Sequence, residues 1–158
     1  MTTRINLMTV NPGIFQAMLG LEKQVSKARL DHKLLHLVRM RASQINGCAY
    51  CLDMHSKDAR AAGEAEQRLY GLNAWRETPY YSSRERAALE WTEALTLVAE
   101  GHVPDDVYER VRQEFSEDEL AHLSLAIVAI NGWNRLNIAA RTEPGGYVAG
   151  SIAAVAAH

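Results

Sequence analysis

Cys48, Cys51 and His55, in the run Cys48-Ala-Tyr-Cys51-Leu-Asp-Met-His55, are the residues of this chain best placed to do chemistry. On a helix the cysteines lie three residues apart and His55 four beyond Cys51, so all three side chains project from one face. Asn46-Gly47 precedes them and is a pair suited to ending a helix. The cysteines are therefore expected in the first turn of a new helix, where unpaired amides and the helix dipole lower a thiol pKa. His55, one turn on, can accept or relay a proton, and an imidazolium there would stabilise the thiolate further. Such a pair supports a two-electron cycle. One thiolate attacks an oxidant and becomes a sulfenic acid, the second condenses with it to a disulfide, and an external dithiol restores the reduced state. This is the cycle of a peroxidase or a disulfide reductase.

The same residues admit other readings. Buried structural thiols would need no reactive partner. His36, Cys48, Cys51 and His55 together have a zinc-like Cys₂His₂ composition, although a three-residue helical spacing does not by itself close a tetrahedron. Haem attachment is excluded, because Leu52 rather than a histidine follows the second cysteine. Tyr50, between the cysteines, either borders a substrate pocket or packs. His32, His102, His122 and His158 have no comparable neighbours and are expected to be structural or exposed.

Helices must position these groups. Asn11-Pro12-Gly13 leads into the apolar spacing of Ile14, Phe15, Met18 and Leu21, which predicts a helix from Pro12. A second is predicted from the cap Asp31 through Leu34, Leu35, Val38 and Ile45 to Asn46-Gly47, and a third from Cys48 to Ala62, closing at Gly63. Beyond it come a shorter helix over Glu64–Trp75, a strong one over Arg84–Glu100 opened by Ser82-Ser83 with Glu85, and one over Pro104–Phe115. A long helix over Glu117–Ala140 is opened by the capping box Ser116-x-x-Glu119. No segment alternates with strand composition. The expected fold is all-α, a bundle of about six or seven helices.

The long helix is apolar almost all round, which makes it either the central helix or an oligomer contact. The tail from Tyr147 to Ala157 is too apolar for a free terminus, so a homo-oligomer is expected. Trp75 and Trp91 are expected in the core, and Asn134 and Arg135 to tie helices together. The alternating charges of Ser82–Glu93 and Pro104–Glu119 read as solvated faces with local ion pairs.

Composition narrows the classes of function. At 158 residues the chain fits one domain, and 47% hydrophobic with 23% charged residues excludes disorder and collagen-like order. A formal net charge of −2 without a basic block lacks the electrostatic footprint of nucleic-acid binding, so no nucleic acid is expected as a partner. Met1–Val10 lacks the charged start and apolar run of a secretory signal, and Leu120–Ile130 is far short of the ~20 residues that cross a bilayer. No membrane partner is expected, and the expected location is cytoplasmic.

Ser43-Gln44-Ile45-Asn46-Gly47-Cys48-Ala49-Tyr50-Cys51-Leu52-Asp53-Met54-His55 resembles the signature of the AhpD-like alkylhydroperoxidases of the carboxymuconolactone decarboxylase superfamily. The similarity continues through Ala59–Glu64, Leu69–Arg76, Glu85–Leu89 and Ile130–Arg135, so it covers most of the chain from about Asn11 to Tyr147. The resemblance implies a single AhpD-like domain over 1–158, an all-helical fold assembling as a homotrimer or homohexamer, and reduction of organic hydroperoxides with electrons from a dithiol donor. It implies no cofactor and no metal. It makes Cys51 the peroxidatic thiol and Cys48 the resolving one, whereas helix-dipole reasoning alone slightly favours Cys48 as the attacking group. His55 and His36 complete the catalytic set.

One position departs from the pattern. The family's proton relay starts with a glutamate twelve positions before the first cysteine, and that position is His36 here. Two neighbouring imidazoles disfavour each other's protonation, and Asp31 or Glu119 is a candidate to supply the carboxylate instead. A metal-binding or redox-sensing oligomer without turnover is the alternative reading. Decarboxylation of a muconolactone, the superfamily's other named activity, needs no vicinal cysteines.

Overall fold

The computed structural model describes residues 2–151. Among them nine α-helices form and no strand: α1 Leu7–Val10, α2 Pro12–Val25, α3 His32–Asn46, α4 Ala49–Ala61, α5 Glu66–Tyr70, α6 Ser83–Thr96, α7 Val98–Gly101, α8 Asp105–Glu114 and α9 Glu117–Ala140. The all-α expectation is met, with six long helices where six or seven were expected and three short ones besides.

Local chemistry sets the helix ends. Asn11 caps α2 by accepting the Gly13 amide at 3.1 Å, with Pro12 in the first turn where its missing N–H costs nothing. Asp31 caps α3 through the Lys33 amide at 2.9 Å, and Gly47 ends it in the left-handed region at φ 69°. Ser82 with Glu85 and Ser116 with Glu119 form full capping boxes on α6 and α9.

Two predicted helices are broken. Glu64–Trp75 is α5 followed by a 3₁₀ turn over Leu72–Ala74, because the chain bends at Gly71 to bury both Leu69 and Leu72. Arg84–Glu100 is interrupted at Leu97, whose backbone leaves the helical region before α7 starts.

Helix α3 has two buried faces. Leu34, Leu35 and Val38 meet Ala88, Trp91, Val111, Leu123 and Ile127 in one cluster, while Leu37 and Met40 meet Leu69, Leu72, Trp75 and Leu89 in another. Each fully buried Leu, Ile or Val in these clusters contributes on the order of 1.5–3 kcal/mol. Helix α9 packs on α2, α3, α4, α6 and α8, so it is the central helix, yet Val128 and Ile138 are still 57% and 45% exposed. The apolar tail reading falls largely on residues 152–158, outside the described residues, as does His158.

The charges of α6 and α8 do more than face solvent. Glu93 accepts from Arg41 Nε and Trp75 Nε1, each at 2.8 Å, Arg84 bonds Glu119 at 2.7 Å, and Arg110 bonds Glu90 at 3.0 Å. These pairs join different elements, which a reading confined to neighbours along one helix does not detect. Arg135, by contrast, bonds only back to Asn131 on its own helix.

Asn134 does tie helices together. It is fully buried in α9, accepts from Asn46 Nδ2 at 2.8 Å and donates to Ser43 Oγ at 3.0 Å, clamping the end of α3. Replacing Asn134 with Ala strands these partners in the interior, and the expected loss of stability is about 2–3 kcal/mol. Urea unfolding measures it; a loss below roughly 1 kcal/mol would show that the clamp is not built as described.

Candidate active site

Only Gly47 and Cys48 separate α3 from α4, so the corner between the helices holds the first sulfur. The Cys48 amide donates back to Ser43 O at 3.1 Å, closing α3, while Cys48 Sγ accepts the Cys51 amide at 3.4 Å, capping α4. Both cysteines are reduced and buried, packed on Ala42, Ile130 and Trp133.

The two thiols behave as one acid. Hydrogen bonding from Cys51 lowers the Cys48 pKa from 9.0 to about 7 against the opposing effect of burial, and Asn134 helps. The Cys51 thiol, which shares its proton with Cys48, is pushed up by that hydrogen bond, by burial and by the charge on its neighbour. When the pair ionises, the charge is therefore favoured on Cys48 while Cys51 keeps the shared proton.

Access runs the other way. A cavity of about 800 Å³ opens beside α4 and is lined by Cys51, not by Cys48. Its walls are mostly apolar, from Ile5, Leu7, Phe15, Leu19, Met54 and Trp133, within the size range of ligand pockets. His36, His55 and Tyr50 line the same cavity, so it gathers three of the four predicted site residues, and Tyr50 borders a pocket as one reading of it expected. Asn137 Nδ2 lies 3.7 Å from Cys51 Sγ.

Both imidazoles are neutral near pH 7. Burial, then Arg39, then His36 hold His55 well below its ordinary 6.5, and burial followed by Arg39 lowers His36. The Nδ1 atoms of both are buried and pair with no group among the described residues. Neither Asp31 nor Glu119 serves the site: Asp31 caps α3, and Glu119 is held by Arg84 and Ser116. The carboxylates that line the cavity are Glu22, which pairs with Arg39 at 2.7 Å, and Asp58.

Sequence reasoning missed Arg39, Asp58, Asn137 and Tyr147. Arg39 is three residues after His36 and Asp58 three after His55, so helical spacing would have found those two; nothing local marks Asn137 or Tyr147. The Cys₂His₂ set does not converge. Among the described residues no three His, Cys, Asp or Glu side chains are grouped as a metal ion requires.

The model of the carboxymuconolactone decarboxylase family matches residues 12–94. The uncharacterized protein YdfG of Bacillus subtilis (strain 168) is 42% identical over 139 residues, 88% of this chain and 95% of that one. A crystal structure of a protein of unknown function from Agrobacterium tumefaciens, provisionally described as the antioxidant defence protein AhpD, is 42% identical with a TM-score of 0.89. It covers 92% of this chain, which covers 100% of it. A debrominase at 22% identity and TM-score 0.75, over 88% of this chain and 75% of its own, shares the fold. The chain belongs to the carboxymuconolactone decarboxylase family, on its AhpD-like side.

Two pH dependences follow. Alkylation of the cysteine pair by iodoacetamide should rise through about pH 7 and level off, where an ordinary thiol would still be climbing toward 9.0. In Cys51→Ser the midpoint should move, since the sulfur that lowers it is gone; an unmoved midpoint would contradict the shared proton. Because His55 and His36 bind protons more weakly folded than unfolded, their neutral burial is without cost above 6.5 and destabilises as pH falls below it. The melting temperature should therefore drop between pH 6.5 and about 5, and drop less in His55→Leu.

Proposed function

We propose that this member of the carboxymuconolactone decarboxylase family is a thiol-dependent antioxidant peroxidase that reduces organic hydroperoxides. The observation that carries the reading is the arrangement of Cys51: its side chain faces an apolar cavity, shares a proton with the acidic Cys48, and stands one helical turn from the neutral His55. The AhpD description of the Agrobacterium relative supports it.

The chemistry balances with a dithiol donor. The shared proton passes to Cys48, leaving the charge on Cys51. The Cys51 thiolate attacks the distal oxygen of the hydroperoxide, the O–O bond breaks, and sulfur is oxidised to a sulfenic acid. The alkoxide takes the proton held by Cys48, through His55 and His36, and leaves as the alcohol. The Cys48 thiolate then attacks the Cys51 sulfur, forming the disulfide and expelling hydroxide, which takes a proton from solvent and leaves as water. The external dithiol returns two electrons and two protons by exchange.

Neutral imidazoles suit this role. A histidine with a lowered pKa does not hold the proton but accepts a hydrogen bond and passes it on. The apolar walls favour an organic substrate over hydrogen peroxide. Assembly as a homotrimer or homohexamer belongs to the same reading, supported by Leu97, Val98 and Val128, each more than a third exposed; equilibrium sedimentation measures it.

With an organic hydroperoxide and a dithiol, Cys51→Ser should lose turnover altogether. Cys48→Ser should undergo one oxidation and stop, with a sulfenic acid trapped on Cys51 by dimedone and no disulfide. If the trap instead labels Cys48 in Cys51→Ser while Cys48→Ser stays unlabelled, the roles are reversed. Halide release from a brominated aromatic is the control, since reductive debromination would consume the same two thiols and end in the same disulfide.

A further inference from the structure

Cys51, His55 and Asp58 follow one another at i, i+4 and i+7 along α4, and all three line the cavity. The segment after α9 is fastened to this helix. Gly145 N donates to Asp53 Oδ2 at 3.0 Å, and Lys57 Nζ reaches Asp53 Oδ2, Gly145 O and Tyr147 O at 2.8, 3.0 and 3.1 Å. That strap delivers Tyr147 to Asp58. The phenol donates to the Asp58 carboxylate, 2.8 Å from Oδ1 and 3.0 Å from Oδ2, and the Gly150 amide donates to Oδ1 at 3.0 Å. A carboxylate held by a phenol and an amide of one strap, on the wall of the cavity that Cys51 lines, has a defined orientation.

We propose that Asp58, oriented by Tyr147 and the Gly150 amide on the wall of the cavity that His36 and His55 also line, is a positioning residue that supplies from α4 the negative charge His36 lacks on α3. The functional meaning rests on the peroxidase reading above, whereas the coupling of Asp58 to His36 does not.

The charges around His36 leave this task to Asp58. On α3, Arg39 and His32 oppose its protonation. On α2, Glu22 is engaged by Arg39 and Lys23 is a further cation lining the cavity. On α4, His55 is neutral and Asp58 favours the imidazolium of His36. Past α4, Glu64 acts in the same direction more weakly and is paired with Arg68 at 2.8 Å. Tyr147, pushed up to about 12 by burial and by Asp58, and Tyr50, raised by burial, stay uncharged. A proton moving from His55 to His36 therefore moves toward the Asp58 carboxylate and away from the sulfurs.

The test is a histidine side-chain NMR titration of the full chain as wild type, Asp58→Asn and Tyr147→Phe. Asp58→Asn keeps the shape and removes the charge, so His36 should titrate at lower pH; Tyr147→Phe keeps the charge, so His36 should titrate at or above its wild-type position. The falling limb of kcat/KM for an organic hydroperoxide should move to lower pH in Asp58→Asn with a loss of about tenfold at neutral pH, short of the ~100-fold or more expected for a group that transfers the proton itself. An unmoved His36 titration in Asp58→Asn overturns the inference, and so does an equal downward shift in both variants, which would reflect packing. If the titration shifts as expected but wild type consumes no hydroperoxide, the coupling stands and the peroxidase reading fails.

Discussion

Between the last residue of α3 and the first of α4 there are only Gly47 and Cys48, and the open hydrogen-bonding groups of both helix ends have to be met there. Gly47 takes the left-handed conformation that lets the Cys48 amide fold back to Ser43 O. Cys48 Sγ then receives the Cys51 amide. A neutral sulfur is a poor acceptor and a thiolate a good one, so the start of α4 and the acidity of Cys48 support each other. Oxidation to a disulfide removes that charge and weakens the cap. The reduced form is thus the one that this cap favours.

The cavity is balanced around one cation. Arg39 lowers both imidazoles and is itself matched by Glu22. In an apolar enclosure an unmatched charge would be costly, so the site keeps histidines as neutral proton carriers and confines its negative charge to the cysteine pair and to carboxylates with fixed partners. Replacing a glutamate by His36 fits this balance only if another anion faces it. Beside Arg39 and His32 the His36 imidazole binds a proton weakly, and Asp58 offsets part of that effect.

The long helices were legible because their signals are local: Asn11-Pro12, Asp31, Asn46-Gly47 and the two capping boxes each mark an end within a few residues. The cysteine face was legible for the same reason, being three residues on one helix. The breaks at Gly71 and Leu97 were not, since they answer to packing against α3 and not to their own propensity. Glu93 read as a surface charge until Arg41 and Trp75, distant in the chain, were seen to converge on it. Asp58 lay on the right stripe, but only Tyr147, 89 positions further along, distinguishes it from an exposed carboxylate.

Chemistry and access are built from different parts of the chain. Cys51 and His55 sit on α4 and Cys48 at its N-cap, the cysteines packed on Ile130 of the central helix, whereas much of the cavity wall comes from segments outside the long helices: Thr3, Ile5, Leu7 and Met8 at one end and Thr142, Tyr147 and Gly150 at the other. Few bonds hold these segments. Arg4 N donates to Ala140 O at 2.8 Å, and Asp53, Lys57 and Asp58 hold the far end. Changing such segments costs the core little, so the cavity wall can vary while the cysteine corner is kept. Tyr147 belongs to both parts, because the residue that lines the cavity also fixes the Asp58 carboxylate on α4. A different side chain at that position would therefore change both the cavity wall and the hydrogen bonds that fix Asp58.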